Sequence, residues 1–366
     1  MKRNEIDKRN ENGEDLLPNC DLSVWLRSCD EEVIEPIIGQ KTGQIPKWLN
    51  GSLLRNGPGS LGVGESKFQH LFDGSSLIHR FGIRDGEVTY QCRFLQTNTL
   101  KKNQAAKRIV ISEFGTEGVP DPCHTIFDKL SAFFHPQEVS DNCMISIYPF
   151  ADELYTFSEY PVIHRIDPMT IETLKTVDVS NYVSIVHHTS HPHIMVDGTV
   201  YNLGLTVTPT GPKYAIVEFP FTREGEKKPG GDVFGEATVV ASVATRWPLH
   251  PGYMHTFGVT DNYWVIVEQP MSVSVAAVLA TKFTNKATSS NLRWFPEYNT
   301  LILIVSKRTG SLVATYYCEP FFYLHIINQY EEEGYVVLDI CVYKDPSMIH
   351  CMYIDALKVS PDELYS

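Results

Sequence analysis

Three stretches of this chain share one layout: HPHIMVDGTVYNLG at 191–204, MHTFGVTDNYWVIVE at 254–268 and LHIINQYEEEGYVVLDI at 324–340. In each, a histidine is followed six to nine residues later by a turn of Gly, Asp or Asn residues, and then by an apolar run. β-Branched and aromatic residues around such a turn read as strand, turn, strand. A repeated all-β architecture built this way would deliver His191, His255 and His325 to one point, where their side chains could hold a metal.

The rest of the chain agrees with a β-rich reading. EVTYQCRF (87–94), RIVISEF (108–114), MISIYPF (144–150), LYTFSEY (154–160), TVYNLGLTV (199–207), YAIVEF (214–219), YWVIVE (263–268) and TLILIVSK (300–307) are all strand-like. Asp85-Gly86, Asp167-Pro168, Asp197-Gly198 and Thr309-Gly310 punctuate them as turns. VIHRIDPMTIETLKTVDV (162–179) reads as a strand, a Pro turn and a returning strand. Helical signal is confined to HTIFDKLSAFF (124–134) and the region near SVSVAAVLATKF (272–283). Many short strands imply a sandwich, barrel or propeller. The histidines are 64 and 70 residues apart, room for a four-stranded propeller blade with decorated loops, and more than the roughly 40–45 residues of a compact blade. Innermost strands of successive blades face a common axis, so one histidine per blade would converge there. No strict repeat accompanies the spacing.

Composition bounds the rest. The chain has 366 residues, of which 43% are hydrophobic, enough to bury a large core. Acids outnumber bases, 44 to 31, for a net charge of −13, which argues against a nucleic-acid partner. The eight cysteines contain no CxxC pair and are widely spread; no disulfides and a reducing, cytoplasmic setting are expected. Residues 1–16 are polar and mixed in charge and read as a disordered tail, with residues 17–366 as one domain. The N-terminus lacks the apolar segment of a secretory signal, and no apolar run reaches about 18 residues.

The densest histidine cluster is HHTSHPH at 187–193. On an extended strand, His191 and His193 would share a face. A lone histidine is usually a polar core or surface residue; the matching contexts set His191, His255 and His325 apart. Imidazole sites suit iron, copper, zinc or nickel. A site of two histidines and one carboxylate, with Glu331 near His325 as its carboxylate, is conceivable and also compatible with the spacing.

IPKWLNGSLLRNGPG (45–59), HLFDGSSLIHRF (70–81), RIVISEFGT (108–116), PDPC (120–123), TSHPH (189–193), GYMHTFGVTDNY (252–263) and FFYLHIINQYEEEG (321–334) resemble the carotenoid cleavage oxygenase family, its insect members above all. The resemblance runs from about Cys20 to the last residue. It implies a seven-bladed β-propeller with a cap of helices and loops, and Fe2+ held by four axial histidines. Three of these match His191, His255 and His325, whereas His187, His188 and His193 match no ligand. The resemblance also makes Glu159, in FSEYP, a hydrogen-bond partner of His255. It suggests Phe72, Phe114 and Tyr343 as walls of a substrate tunnel and Ser158 as a neighbour of the open metal position. The implied reaction takes a carotenoid and O2, cleaves the central double bond to retinal-type aldehydes and, in insect members, isomerises one product to the 11-cis form for visual pigments.

The family's fourth histidine lies near the end of a longer chain. After His325 only His350 remains, in SMIHCMYIDA, and it matches a different strand of the family. The resemblance therefore leads us to expect a C-terminally truncated form, an incomplete propeller and low or no oxygenase activity. Peripheral membrane contact is expected from two apolar runs, one around Ile126, Phe127, Leu130, Phe133 and Phe134 and one from Met271 to Leu279, with Lys129, Lys282 and Lys286 nearby. A carotenoid or retinoid binder without turnover, and a retinyl ester isomerohydrolase, are the alternative readings.

Overall fold

A computed structural model describes residues 26–119, 139–220 and 233–358. The tail at 1–16, the helical candidate at 124–134 and its apolar run lie outside the described residues.

The first sheet contains β1 (Val33–Ile38), β2 (Gly51–Ser60), β3 (Ser75–Arg84) and β4 (Glu87–Phe94), in the order β1-β4-β3-β2, all antiparallel. Asp85 and Gly86 join β3 to β4 with φ of 52° and 82°, the backbone that lets a two-residue hairpin match the twist of its strands. The second sheet is a meander of β5 (Ser146–Phe150), β6 (Glu153–Phe157), β7 (Val162–Ile166) and β8 (Thr173–Asp178). The expected Pro turn lies between β7 and β8, where the Asp167 carboxylate accepts the N–H groups of Met169 and Thr170 at 2.8 and 2.7 Å.

In the third sheet two short pieces, β9 (His187–His188) and β10 (His193–Ile194), both pair with β11 (Val200–Thr208), which is followed by β12 (Gly211–Phe219) and β13 (Thr238–Ala244). The fourth is a meander of β14 (Gly258–Val259), β15 (Tyr263–Glu268), β16 (Thr300–Ser306) and β17 (Leu312–Cys318). The fifth is a ribbon of β18 (Phe322–Glu332) and β19 (Tyr335–Tyr343). Among the described residues the sheets do not close into a ring.

Separate apolar layers sit between neighbouring sheets. Ile78, Leu95 and Ile166 pack between the first two. Phe150, Phe157, Val217, Phe219 and Phe234 pack between the second and third, and Leu203, Ile216, Phe257, Trp264 and Leu303 between the third and fourth. Alternation along each strand supplies these faces. The leading edges of the sheets are also clasped together. Asn56 Nδ2 donates to Cys143 O at 2.7 Å, Ser146 Oγ to Ser190 O at 2.5 Å, His193 Nε2 to Phe257 O at 2.8 Å and Thr256 Oγ1 to Leu324 O at 2.7 Å.

One strand expectation fails. RIVISEF (108–114) forms no strand. The N–H groups of Val110 and Ile111 turn to the side-chain oxygen of Asn103, at 2.9 and 3.4 Å, instead of a neighbouring backbone. Ile109 and Ile111 are nonetheless buried, and Val110 and Phe114 partly so. Asn103 belongs to a helix without an apolar stripe, α1 (Asn98–Ala106), capped by Thr97 and by the Asp141 carboxylate, which accepts from Asn98 N and Thr99 N at 2.8 Å each. The second helical expectation holds as α2 (Val275–Thr284), with Ser274 as its N-cap. No helix among the described residues is long and apolar enough to cross a membrane.

Candidate metal centre

His191 occupies the break between β9 and β10. Thr189 and Asn202 hold that break open: Thr189 Oγ1 donates to Asn202 Oδ1 at 2.6 Å, and Asn202 Nδ2 donates to Thr189 O at 2.9 Å. His255 lies just before β14, on a segment fixed from below by Gly252, whose N–H donates to the Tyr214 hydroxyl at 3.0 Å. Tyr214 in turn donates to the buried Glu268 at 2.5 Å. His325 is the fourth residue of β18.

These three segments bring one ring nitrogen from each histidine to within 4.8 Å of the others. The ring centres are 4.7, 5.0 and 4.8 Å apart, and all three pairs meet edge to face. His191 Nε2 lies 3.1 Å from His255 Nε2.

Glu159, two residues after the end of β6, is half-buried behind His255, with Oε1 2.7 Å from His255 Nδ1. The same oxygen accepts the Tyr253 hydroxyl at 2.6 Å, and His187 Nε2 stands 3.6 Å from the other oxygen. Burial opposes the negative charge on Glu159, but its contacts with His187 and His255 outweigh burial and hold the carboxyl well below its ordinary range. A carboxylate at Nδ1 fixes His255 with its proton there, leaving Nε2 as a lone pair aimed at the centre. Burial, then repulsion from His255 and His325, pushes His191 down to about 3, so this ring is neutral near pH 7. Neutral imidazole is the form that ligates metals.

Tyr253, Tyr148 and His187 complete the surroundings; the sequence singles out neither tyrosine, and His187 appears there only as a member of the HHTSHPH cluster that matches no ligand. The Tyr148 hydroxyl is 3.4 Å from His191 Nδ1. Of the two tyrosines, Tyr253 left a readable signal: two residues before His255, it shares that residue's side of an extended segment. His188 is buried against Phe157, and His193 is spent on Phe257 O, so neither joins the centre. Glu331 is excluded as a ligand. It accepts from Thr260 Oγ1, Asn262 N and Asn262 Nδ2 at 2.6–2.9 Å, six residues and about 20 Å along the strand from His325.

The remaining candidates occupy other positions. Phe72 and Phe114 pack on each other and on the buried His70, and Phe114 also joins the apolar cluster of Tyr253, Met271, Phe322, Leu324 and Ile349. Ser158 is buried beside Glu159 and receives a weak bond from Cys143 Sγ at 3.8 Å. Tyr343, at the end of β19, is 43% exposed. His350 lines a cavity of about 820 Å³ together with Met271, Leu292, Trp294, Ile349 and Tyr353. Met271 and Ile349 share an apolar cluster with Tyr253, whose hydroxyl donates to Glu159.

A β-fold with a histidine centre of this kind matches a known class. The family model described as retinal pigment epithelial membrane protein, RPE65, covers residues 26–364. The chain belongs to this RPE65/carotenoid oxygenase family. It is 58% identical over 346 residues to the carotenoid isomerooxygenase of Galleria mellonella and 54% identical over 342 residues to that of Drosophila melanogaster. It is also 41% identical over 337 residues to the β,β-carotene 15,15'-dioxygenase of Mus musculus. These alignments cover 94%, 93% and 91% of this chain, but 66%, 54% and 60% of the relatives. In fold it is similar to a Synechocystis apocarotenoid oxygenase variant, with a TM-score of 0.69, 20% identity, and coverage of 88% of this chain and 64% of that one.

Proposed function

We propose that this chain carries the metal-binding region of a non-haem iron oxygenase that cleaves the central double bond of a carotenoid to retinal-type aldehydes, with O2 as co-substrate. The observation behind this reading is the His191, His255 and His325 centre braced by Glu159, in a chain 58% identical to a carotenoid isomerooxygenase. The donor set fits iron: three imidazoles, one with its tautomer set by a carboxylate, and no thiolate among them. When bound, Fe2+ would supply a site at which dioxygen meets an electron-rich polyene.

The chain's own residues do the positioning. Glu159 keeps the His255 proton on Nδ1, and Tyr253 keeps Glu159 in place. Met271, Leu292, Trp294 and Ile349 give the neighbouring cavity an apolar wall suited to a long polyene. We propose that Phe72 and Phe114, which pack on each other beside the same apolar cluster, line the substrate path together with Tyr343, and that Ser158 neighbours the open metal position. The exposed Leu279 on α2 and the exposed Lys286 beyond it suit contact with a membrane that stores the substrate. The relatives' name, isomerooxygenase, supports a coupled isomerisation; the all-trans to 11-cis course, a role in visual pigment supply and the seven-bladed propeller are proposed on the family resemblance.

The test is iron content and aldehyde production by the purified protein supplied with Fe2+ and β-carotene. His255→Ala should abolish both. Turnover that survives alanine at all three histidines would sink the proposal. A second reading is carotenoid binding without cleavage. Pigment retained with no aldehyde formed would select it.

A further inference from the structure

A buried cation lies between the first two sheets, outside the histidine centre. Arg80, on β3, is 7% exposed, and no carboxylate among the described residues comes within ion-pair reach of it. Gly82, two residues further along the same face of the strand, leaves room for the guanidinium: a Cβ there would lie 3.1 Å from one terminal nitrogen and 3.3 Å from the other. A guanidinium carries several N–H donors and no acceptor, and here its bonds are poor. Arg80 Nη1 donates at 3.3 Å to Oε1 of Gln91, its cross-strand partner on β4, and Nη2 donates to Met169 Sδ at 3.4 Å. Nε has no partner. A neutral amide and a thioether do little for a charge taken out of water.

Met169 stands in the turn between β7 and β8. It is 61% exposed, and no other methionine among the described residues is exposed. Its backbone is held on both sides: the Asp167 carboxylate accepts its N–H at 2.8 Å, and the buried Gln91 donates from Nε2 to its carbonyl at 3.0 Å. One amide thus fixes both Met169 and Arg80. The thioether meets water on one side and a buried guanidinium on the other.

We propose that Met169 is a site of reversible oxidation by hydrogen peroxide, and that its sulfoxide tightens the joint between the first two sheets by giving Arg80 the acceptor it lacks. A sulphur lone pair attacks one peroxide oxygen. The S–O bond forms, the O–O bond breaks, and the departing hydroxide takes the proton from the oxygen now on sulphur and leaves as water. Two electrons pass from the sulphur to the peroxide. A methionine sulfoxide reductase, oxidising a dithiol, restores the thioether and releases the oxygen as water.

Oxidation of a methionine ordinarily loosens a protein, because a buried apolar chain becomes polar. The sign is reversed at Met169. Its side chain already stands in water, so the added oxygen costs little desolvation. Its neighbour is a cation, and a sulfoxide oxygen accepts from a charged donor far better than a thioether sulphur does. Gln91 and Asp167 keep the backbone in place, so only the end of the side chain has to turn.

The experiment treats the purified full chain with a small excess of hydrogen peroxide and maps methionine oxidation by peptide mass. Met169 should gain an oxygen ahead of the half-buried Met195, Met348 and Met352. The melting temperature of the oxidised wild type should stand about 2 °C above that of the untreated protein, and should return after methionine sulfoxide reductase and dithiothreitol. Met169→Leu should show no rise under the same treatment. Met169→Gln, whose amide oxygen offers Arg80 a similar acceptor, should carry the rise without peroxide. Arg80→Leu should still oxidise at Met169 and gain no stability. An oxidised wild type that melts at or below the untreated protein, or oxidation that reaches Met195, Met348 or Met352 before Met169, would overturn the proposal. The wild type and the Met169 variants decide the matter even if Arg80→Leu, at a buried position, fails to fold.

Discussion

Gln269 grips Tyr323 by both of its main-chain groups: Nε2 donates to Tyr323 O at 3.1 Å, and Oε1 accepts from Tyr323 N at 2.9 Å. Nε2 also reaches Tyr253 O at 3.3 Å. Tyr253 and Tyr323 each stand two residues before a histidine of the centre. One buried amide thus sets the spacing of His255 against His325 without touching either ring. Gln269→Leu should cost about 1–3 kcal/mol, the penalty for a buried backbone group left unpaired, and should also weaken metal binding. Urea unfolding and metal titration of the variant check both parts. Metal affinity equal to wild type would show that Gln269 does not govern the centre.

Glu159→Gln leaves the size of the side chain unchanged and removes the charge that orients His255. Loss of such a partner typically weakens metal binding about 10- to 100-fold. Equilibrium titration with Fe2+ under anaerobic conditions measures this. Circular dichroism of the variant should match wild type, which separates lost affinity from lost fold.

Gly252 has no room for a side chain. A Cβ there would lie 2.5 Å from the Tyr214 hydroxyl and 3.1 Å from Glu268 Cγ. Both neighbours are buried, and Arg246 N also donates to Glu268 at 3.0 Å, so neither is free to retreat. Gly252→Ala should destabilise the protein by about 1–3 kcal/mol, read as a shift in the denaturant midpoint. An unchanged midpoint would mean that the Tyr214 and Glu268 pair yields easily.

Glu113 gives a pH signature away from the centre. It is buried, and burial holds its carboxyl well above the ordinary range, against the bond that Ser140 Oγ donates at 2.8 Å. An acid raised in the folded state binds its proton more tightly there than in the unfolded chain. Its contribution is complete below the unfolded value and is lost as pH rises toward the folded one. Across that window the difference in stability between Glu113→Gln and wild type should grow in the variant's favour, by up to about 1.4 kcal/mol per pH unit. Stability measured from mildly acidic to neutral pH tests it, and parallel curves for the two proteins would refute it.

The sequence made the centre readable because ligand and turn recur together: His191, His255 and His325 each stand ahead of a turn that closes a hairpin. Glu159 was found only through family likeness, since its contact with His255 crosses two sheets. RIVISEF shows the limit of pattern. A run of β-branched residues says that side chains will be buried, but whether the backbone joins a ladder depends on Asn103 taking its N–H groups. The helix carrying Asn103 was equally hidden, because NTLKKNQAA has no apolar stripe and its cap comes from Asp141, far along the chain. Glu331 misled for a geometric reason: nearness to His325 in sequence becomes distance on an extended strand.

His191, His255 and His325 also divide the chain into two long loops, one of 64 and one of 70 residues. An ion gripped by all three would act as a non-covalent cross-link, closing both loops and tying the third, fourth and fifth sheets to one another. Because the unfolded chain does not hold the three rings together, the binding energy accrues to the folded state alone. The folded population would then follow the supply of free metal, with a gain of about 2.7 kcal/mol at a hundredfold excess over Kd. In that sense the centre would serve as a fastener before it serves as a reagent.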